Sequence, residues 1–402
     1  MQAFVTQSPR ELPVSQLRVI EVSGTTPRRR GISYGQAAAD LIATAIAYYT
    51  QAFELQTGRS WSEILTLSEP WEQLLRSGFP ELFEEMTGIA EGAGVPVREI
   101  VALNCRGEII YDAESFRRSS ATTEGSTEGT SESTSLEPSQ GDAPDGCTSY
   151  SLTGPATSDG HVYTGQNWDW RHAVRDTVVI LRIVQPPKPT VIMQVEAGQI
   201  GRHGANSRGF ALNANGLGGR FDDTVGVPQT VIRRLVLDSD SISDALKVLV
   251  KTRAHIASNA LLTDRSGFSI DLETTPGAHG WEYPVDGLIV HGNHYQAFVP
   301  PQLAATHRPM SPDSLLRVPR ATQGLKEAAT ATDVRKAVHT AMSDHLGRPD
   351  SLCAHPDDRL AELRQWSTLL SSCVDLTTGE YYVTPGIPCE HSYELVPFNL
   401  YD

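Results

Sequence analysis

Nowhere in its 402 residues does the chain carry the roughly 18 consecutive apolar residues that a membrane-crossing helix needs. The opening segment, Met1 to Pro13, has no apolar core of the kind a secretory leader uses, and the closing Asn399-Leu400-Tyr401-Asp402 is not a Ser-Lys-Leu type of peroxisomal address. The expectation is a cytoplasmic protein away from membranes. Cysteine is scarce: there are five (Cys105, Cys147, Cys353, Cys373, Cys389), an odd number with no CxxC and no regular Cys/His spacing. That pattern suits free thiols in a reducing compartment and implies no zinc site and no disulfide framework. Positive charge is also short, with 33 Lys and Arg against 48 Asp and Glu and a formal net charge of −15, which excludes the basic field that nucleic-acid phosphates require. The single basic run, Arg28-Arg29-Arg30, reads as a solvated turn, with contact to ligand phosphates as the alternative. What is present is ordinary for a globular protein: hydrophobic residues make up 39%, enough to bury a sizeable core.

Three textures follow one another along the chain. From Tyr34 to about Gln56, Leu41, Ile42, Ala45, Ile46, Tyr49 and Phe53 fall on one helical face, and further helical patterns run through Trp61 to Leu75, Glu81 to Ile89 and Val97 to Leu103. Pro80 and Pro96 punctuate their starts. The first region, 1–114, is therefore expected to be mainly helical. Between about Ser115 and Asp145, Ser, Thr, Gly, Glu and Pro dominate with little to bury, so 115–146 reads as a disordered linker. The remainder, 147–402, turns to β-rich runs: Thr177 to Val184, Thr190 to Val195, Gly209 to Asn213, Leu288 to His291, Thr368 to Asp375 and Glu380 to Val383. Asn259 to Thr263 and Phe268 to Leu272 flank the turn Asp264-Arg265-Ser266-Gly267, as in a hairpin. Ser241 with Asp244 opens a capped helix, and Thr332 to Met342 suggests another. This order predicts an α+β sandwich rather than a doubly wound sheet.

The chemistry concentrates at Asp145-Gly146-Cys147-Thr148-Ser149, where the linker ends and the first strong strand begins. Spacing alone leaves two readings of Cys147, a buried structural thiol or a nucleophile. For the second, breakage of the bond before Cys147 yields a residue with both thiol and α-amine, and that amine can serve as the general base. The amine titrates near 7.7–8.0 and an ordinary thiol near about 8.5, so proton transfer between them is close to thermoneutral. Gly146 presents no side chain against attack on its carbonyl and can adopt a strained backbone that favours an N-to-S acyl shift.

Asp145-Gly146-Cys147-Thr148, followed by Gly165-Gln166-Asn167-Trp168-Asp169, resembles the acyl-coenzyme A:6-aminopenicillanic acid acyltransferase (isopenicillin N acyltransferase) family of N-terminal-nucleophile (Ntn) hydrolases. Glu196-Ala197-Gly198-Gln199-Ile200-Gly201, Asn206-Ser207-Arg208-Gly209, Asn213-Ala214-Asn215, Gly226-Val227-Pro228 and Val290-His291-Gly292-Asn293-His294 continue the likeness in order over most of the chain. The resemblance implies a four-layer αββα Ntn-hydrolase sandwich, self-cleavage between Gly146 and Cys147, and an αβ heterodimer made from one precursor. It makes Cys147 the nucleophile, Asp169 the partner of the new amine and Asn293 the oxyanion stabiliser. An ordinary turn asparagine is the competing account of Asn293. Asn213 and Asn215 match polar pocket positions or, equally, turn residues; Tyr150, Trp168 and Trp170 are acyl-pocket or core aromatics. Near the C-terminus, Ala354 stands where the family can carry an arginine, a role for Arg359 or Arg364 in reading substrate charge has no secure alignment, and Cys353 and Cys389 read as structural.

The implied reaction passes through a thioester on Cys147, with no cofactor and no metal. Transfer to an amine, from an acyl-coenzyme A or amide donor, makes an N-acyltransferase. Transfer to water makes an amidohydrolase or peptidase on small N-acyl compounds. A third reading is an uncleaved, non-catalytic interaction protein.

Overall fold

The computed structural model describes residues 17–111, 146–218, 221–222, 224–305, 307–309 and 311–402. The linker expected at 115–146 lies outside these apart from Gly146, as does Asp145. The N-terminal region opens with a strand, β1 (Arg18–Ser23), followed by α1 (Pro27–Ala37), α2 (Ala39–Thr57), α3 (Trp61–Leu67), α4 (Glu69–Gly78), α5 (Pro80–Ala93), α6 (Val97–Asn104) and a helical segment, α7, over 106–111. Two features depart from the sequence reading. Strand β1 was not legible, because in its six residues only Ile20 and Val22 are buried; it joins the larger sheet parallel to β4 (Val178–Val184). The helix expected from Tyr34 is two helices that meet at Ala38, and the first begins at Pro27. Thr26 caps it by accepting the Arg29 N–H, and Pro27 stands in the first turn, where its missing N–H costs no hydrogen bond.

The basic run therefore lies inside α1 and not in a solvated turn. Arg28 reaches Glu84 and Glu91, while Arg30 is buried against Glu85. These contacts follow from a close crossing of α1 over α5. A Cβ at Gly31 would stand 2.1 Å from the Glu85 carbonyl oxygen, at Gly35 2.2 Å from that of Ile89, at Gly88 2.2 Å from that of Arg28 and at Gly92 2.3 Å from that of Ile32. Two glycine pairs, each four residues apart, thus clear one face of each helix so that the backbones touch.

The strands form two sheets. The larger runs β1, β4, β5 (Val191–Glu196), β6 (His203–Asn206), β7 (Phe210–Asn213), β8 (Ser258–Asp264), β9 (Ser269–Thr274) and β10 (His279–Glu282). The smaller runs β11 (Leu288–His291), β2 (Gly146–Leu152), β3 (Tyr163–Arg171), β12 (Trp366–Asp375), β13 (Glu380–Val383) and β14 (Glu394–Leu395). The sheets face each other through β2 with β8 and β3 with β7. Helices α8 (Gln229–Leu237) and α9 (Ile242–Lys251) cover the larger sheet; α10 (Ser314–Leu325) and α11 (Val334–Met342) cover the smaller. The result is the α-β-β-α layering of an Ntn-hydrolase sandwich. Every residue of β2, β3 and β5 is buried, as expected of strands enclosed on both faces.

The N-terminal helices dock on the stretch 196–201. Gly198 N–H donates to the Tyr34 hydroxyl, Asn104 accepts Ile200 N–H and donates to the Gly198 carbonyl, and the Tyr49 hydroxyl donates to Glu196. Arg234 of α8 binds Glu85 of α5 at 2.5 Å and Asp238 at 2.8 Å, with all three side chains buried. A buried charge needs such pairing, so this cluster ties the N-terminal layer to the larger sheet's helices.

Candidate active site

Cys147 is the second residue of β2, paired across the ladder with Trp168, and Gly146 pairs with Asp169. Strand alternation sends residues 147, 149 and 151 towards the larger sheet and 146, 148, 150 and 152 towards α10 and α11. Cys147 is fully buried in the joined chain. Its N–H donates to Asn293 Oδ1 at 2.8 Å, and its carbonyl accepts from Arg317 Nη1 at 2.7 Å. Arg317 also donates to Thr148 Oγ1 at 2.6 Å and to Asn293 Oδ1 at 2.9 Å, and is anchored by Asp313 one turn back on the same helix at 2.6 Å. Burial works against its charge, but Asp313, Asp169 and Cys147 together raise its pKa above the usual arginine value. One buried guanidinium thus fixes both the strand carrying Cys147 and the amide holding its nitrogen.

Asp169 sits opposite Gly146 on the outer face of the smaller sheet. Its Oδ1 accepts from Thr368 Oγ1 at 2.6 Å, and Thr368 Oγ1 in turn accepts the Ala354 N–H at 3.0 Å. Gly146 is the first residue of β2, and its space is tight: a Cβ would lie 3.3 Å from the Asp169 Cβ.

Asn293 is positioned from two sides. Its N–H donates to Ser314 Oγ at 2.6 Å and its Nδ2 to the Gly216 carbonyl at 3.0 Å, which leaves a second Nδ2 proton. The preceding Gly292 is required because a Cβ there would meet Ser314 Oγ at 2.3 Å. Two residues earlier, His291 Nε2 stands 3.0 Å from Glu273 and 3.5 Å from Asp271. Burial disfavours charging His291, yet the two carboxylates outweigh it and hold its pKa up at about 9. Glu273 also accepts N–H bonds from Gln296, Ala297 and Phe298, so this charged pair shapes the loop that carries Asn293.

The remaining sequence candidates separate. Asn215 accepts from Ser149 Oγ at 2.7 Å, two residues from Cys147. Asn213 donates to Thr164 Oγ1 at 2.8 Å and clasps β7 to β3 between the sheets. Trp168 shares the Cys147 face and lies under the Arg202 guanidinium, 4.0 Å from the ring centre. Tyr150 is on the opposite face, bonded to the Ser372 carbonyl in the core beneath α10 and α11, because an odd offset of three along a strand reverses the side chain. Arg359 is exposed beside Asp357, and Arg364 belongs to a short turn before β12, where its carbonyl accepts from Arg171. A concavity near the Cys147 strand is lined instead by Trp170, Arg106, Arg202, Arg233, Gly216 and Ser258.

Arg317, Ser314 and Thr368 were missed. A signal for Arg317 existed: Ser314, Arg317, Ala321 and Leu325 are the buried residues of α10 and recur at helical spacing, so the arginine occupies an inward position among small and apolar residues.

A cysteine at the head of an inner strand of an αββα sandwich, with an asparagine oxygen on its nitrogen and a carboxylate residue across the ladder from the glycine before it, is in keeping with the class that the relatives show, an Ntn-type acyltransferase or amidohydrolase. The profile of the acyl-coenzyme A:6-aminopenicillanic acid acyl-transferase family matches residues 156–384, and the chain belongs to that family. It is 32% identical over 270 residues, 67% of each chain, to the acyl-coenzyme A:6-aminopenicillanic-acid-acyltransferase 40 kDa form of Emericella nidulans. Among solved structures, a variant of the conjugated bile acid hydrolase from Clostridium perfringens aligns with a TM-score of 0.44 at 15% identity, over 64% of this chain and 94% of that one. Penicillin V acylase from Agrobacterium tumefaciens aligns with a TM-score of 0.37 at 15% identity, over 59% and 82%. Among the described residues no helix is long and apolar enough to cross a membrane.

Proposed function

We propose that this protein cleaves itself between Gly146 and Cys147 and then works as a cysteine N-acyltransferase, with amidohydrolysis as the outcome when water replaces the acceptor amine. The observation that carries the reading is the double hold on Cys147: Asn293 Oδ1 on its nitrogen and Arg317 on its carbonyl, with Asp169 facing Gly146. In the first step the Cys147 thiol adds to the Gly146 carbonyl carbon. The C–N bond to Cys147 breaks, its nitrogen takes the thiol proton, and Gly146 is left as a thioester. Water then adds to that carbonyl, the C–S bond breaks, and the thiol regains a proton. The products are an α-chain, 1–146, and a catalytic β-chain, 147–402. The docking of Tyr34, Tyr49 and Asn104 on 196–200 supports their staying together as a heterodimer.

In the mature site the new amine keeps Asn293 Oδ1 as an acceptor for one N–H, which orients its lone pair, and Asp169 stabilises its protonated form. The amine takes the thiol proton as sulfur attacks the donor carbonyl, and the second Nδ2 proton of Asn293 meets the oxyanion. The protonated amine then supplies a proton to the leaving group, and a thioester remains for an acceptor amine or water. Arg202 and Arg233 along the concavity suit a donor bearing negative charge, as an acyl-coenzyme A does, with Arg106 beside them paired to Glu196, while Trp170 offers apolar surface to the acyl group.

Intact-mass spectrometry of wild type beside Cys147→Ala tests the first half. Two fragments meeting at 146/147 in wild type alone support it; a single chain in both after long incubation at mildly alkaline pH overturns it and leaves an interaction protein. With processed enzyme, product that rises with acceptor amine through ping-pong kinetics supports transfer, and full turnover without an amine assigns hydrolysis.

A further inference from the structure

Three residues close in the sequence and a fourth distant one meet on the outer side of the smaller sheet. His345 leaves the end of α11, Cys353 and His355 lie in the irregular stretch before β12, and Cys389 follows β13. One ligand atom from each lies within 4.8 Å of every other. His345 Nε2 is 3.1 Å from His355 Nε2, and the latter is 3.6 Å from Cys353 Sγ and 3.4 Å from Cys389 Sγ. A zinc ion held tetrahedrally at its usual bond lengths sets ligand-to-ligand edges of about 3.3–3.8 Å. These three measured edges lie within or close to that range, and the widest separation needs to close by about 1 Å. Four electron-pair donors directed at one point without an ion would repel, save where a proton is shared. We propose that His345, Cys353, His355 and Cys389 form a structural Cys2His2 site for zinc.

His355 turns Nε2 towards the cluster and Nδ1 towards Arg348 Nη2 at 3.3 Å and the Glu390 carboxylate at 3.8 Å; with an ion on Nε2 the imidazole proton sits on Nδ1, where Glu390 and not Arg348 can accept it. The two inner donors, Cys353 and His355, are buried, whereas His345 and Cys389 are exposed, which gives an ion a route in from the surface. All four positions are protein ligands, so the site has the closed set typical of structural zinc.

The consequence reaches the candidate active site through one residue. Ala354, between Cys353 and His355, donates its N–H to Thr368 Oγ1, which donates to Asp169. Asn167 Nδ2 holds the Leu352 carbonyl at 2.9 Å from the other side. The ion would clamp the loop to the end of β13 and so keep Thr368 and Asp169 in place, making the cluster a positioning element. Zinc binding itself is independent of any role for Cys147. The sequence reading implied no zinc site because the ligands follow no short repeat; only folding brings Cys389 to the other three.

The test measures metal in the full chain, purified reduced, without an affinity tag that binds metal. About one zinc per chain is expected in wild type, and a Cys353→Ser/Cys389→Ser double variant should lose it. Cobalt added to metal-stripped wild type should give thiolate-to-cobalt charge-transfer absorption with the intense d–d bands of a tetrahedral site. If the double variant misfolds, the wild-type cobalt spectrum still decides. Folded wild type that takes up neither metal, a double variant that retains zinc fully, or a Cys353–Cys389 disulfide in reduced preparations would each overturn the proposal.

Discussion

Asn293 offers Cys147 its side-chain oxygen, at 2.8 Å from the Cys147 nitrogen, and turns its amide nitrogen to the Gly216 carbonyl. The oxygen is fixed in that sense because Arg317, which can only donate, also binds it. In the proposed reaction Asn293 therefore has two tasks: holding the base with Oδ1 and meeting the oxyanion with the remaining Nδ2 proton. Asn293→Ala is expected to lower kcat by about 100-fold to 1,000-fold, the loss typical of one oxyanion donor, and to slow self-cleavage as well. Gel time courses of processing and single-turnover rates check the two effects. Normal kinetics in a processed variant would remove Asn293 from the chemistry.

Arg317 makes a sharper prediction about stability. Arg317→Met would leave the Cys147 carbonyl, Thr148 and Asn293 without their shared donor in a fully buried place. The expected loss is about 3 kcal/mol or more, read from urea unfolding of the uncleaved Cys147→Ala background so that processing does not complicate the comparison. Arg317→Lys should recover only part, because an ammonium cannot span the same three acceptors as a planar fork. Equal midpoints for all three proteins would contradict this account.

Some of this was legible in the chain. The β8–β9 hairpin was readable because Asp264-Arg265-Ser266-Gly267 announces its turn, and Gly267 does adopt φ of 90°. Ser241 announced α9 and accepts the Asp244 N–H as a cap should. Phe268, read as the first residue of the second strand, is 41% exposed, and the strand starts one residue later. Motif resemblance brought Cys147, Asp169 and Asn293 together before any coordinates did. It could not separate Asn213, which joins two sheets, from a pocket residue, nor foresee that Tyr150 faces away. Those distinctions depend on which strand lies across the gap, and local pattern carries no record of that. Arg317 was obscured for the opposite reason, an ordinary surface residue type at an inward helical position.

The glycine crossing of α1 and α5 yields a prediction remote from the chemistry. Gly88→Ala puts a methyl group 2.2 Å from the Arg28 carbonyl oxygen, so the helices must part, and overpacking of this kind costs about 1–3 kcal/mol. Gly78, at the C-terminus of α4 with nothing within 4 Å of its Cβ position, is the control: Gly78→Ala should be neutral or slightly stabilising. Thermal unfolding of both variants decides, and a Gly88→Ala midpoint equal to that of Gly78→Ala would mean the crossing is looser than described.

His291 makes stability depend on pH in a defined direction. Its folded pKa of about 9 lies above the ordinary histidine value near 6.5, so the folded state holds the proton more tightly than the unfolded chain does. The stabilisation is therefore fully present below about pH 6.5 and disappears as pH rises through about 9, a difference on the order of 3 kcal/mol. Replacing His291 by Asn removes the titration while leaving Glu273 its backbone N–H partners at Gln296, Ala297 and Phe298. Urea midpoints in a Cys147→Ala background at pH 6.5 and 9.5 should fall for the parent and change much less for the variant, because other alkaline titrations are common to both. Parallel declines would show that His291 is not the group responsible, and that the Asn293 loop is held at neutral pH by something other than an imidazolium between two carboxylates.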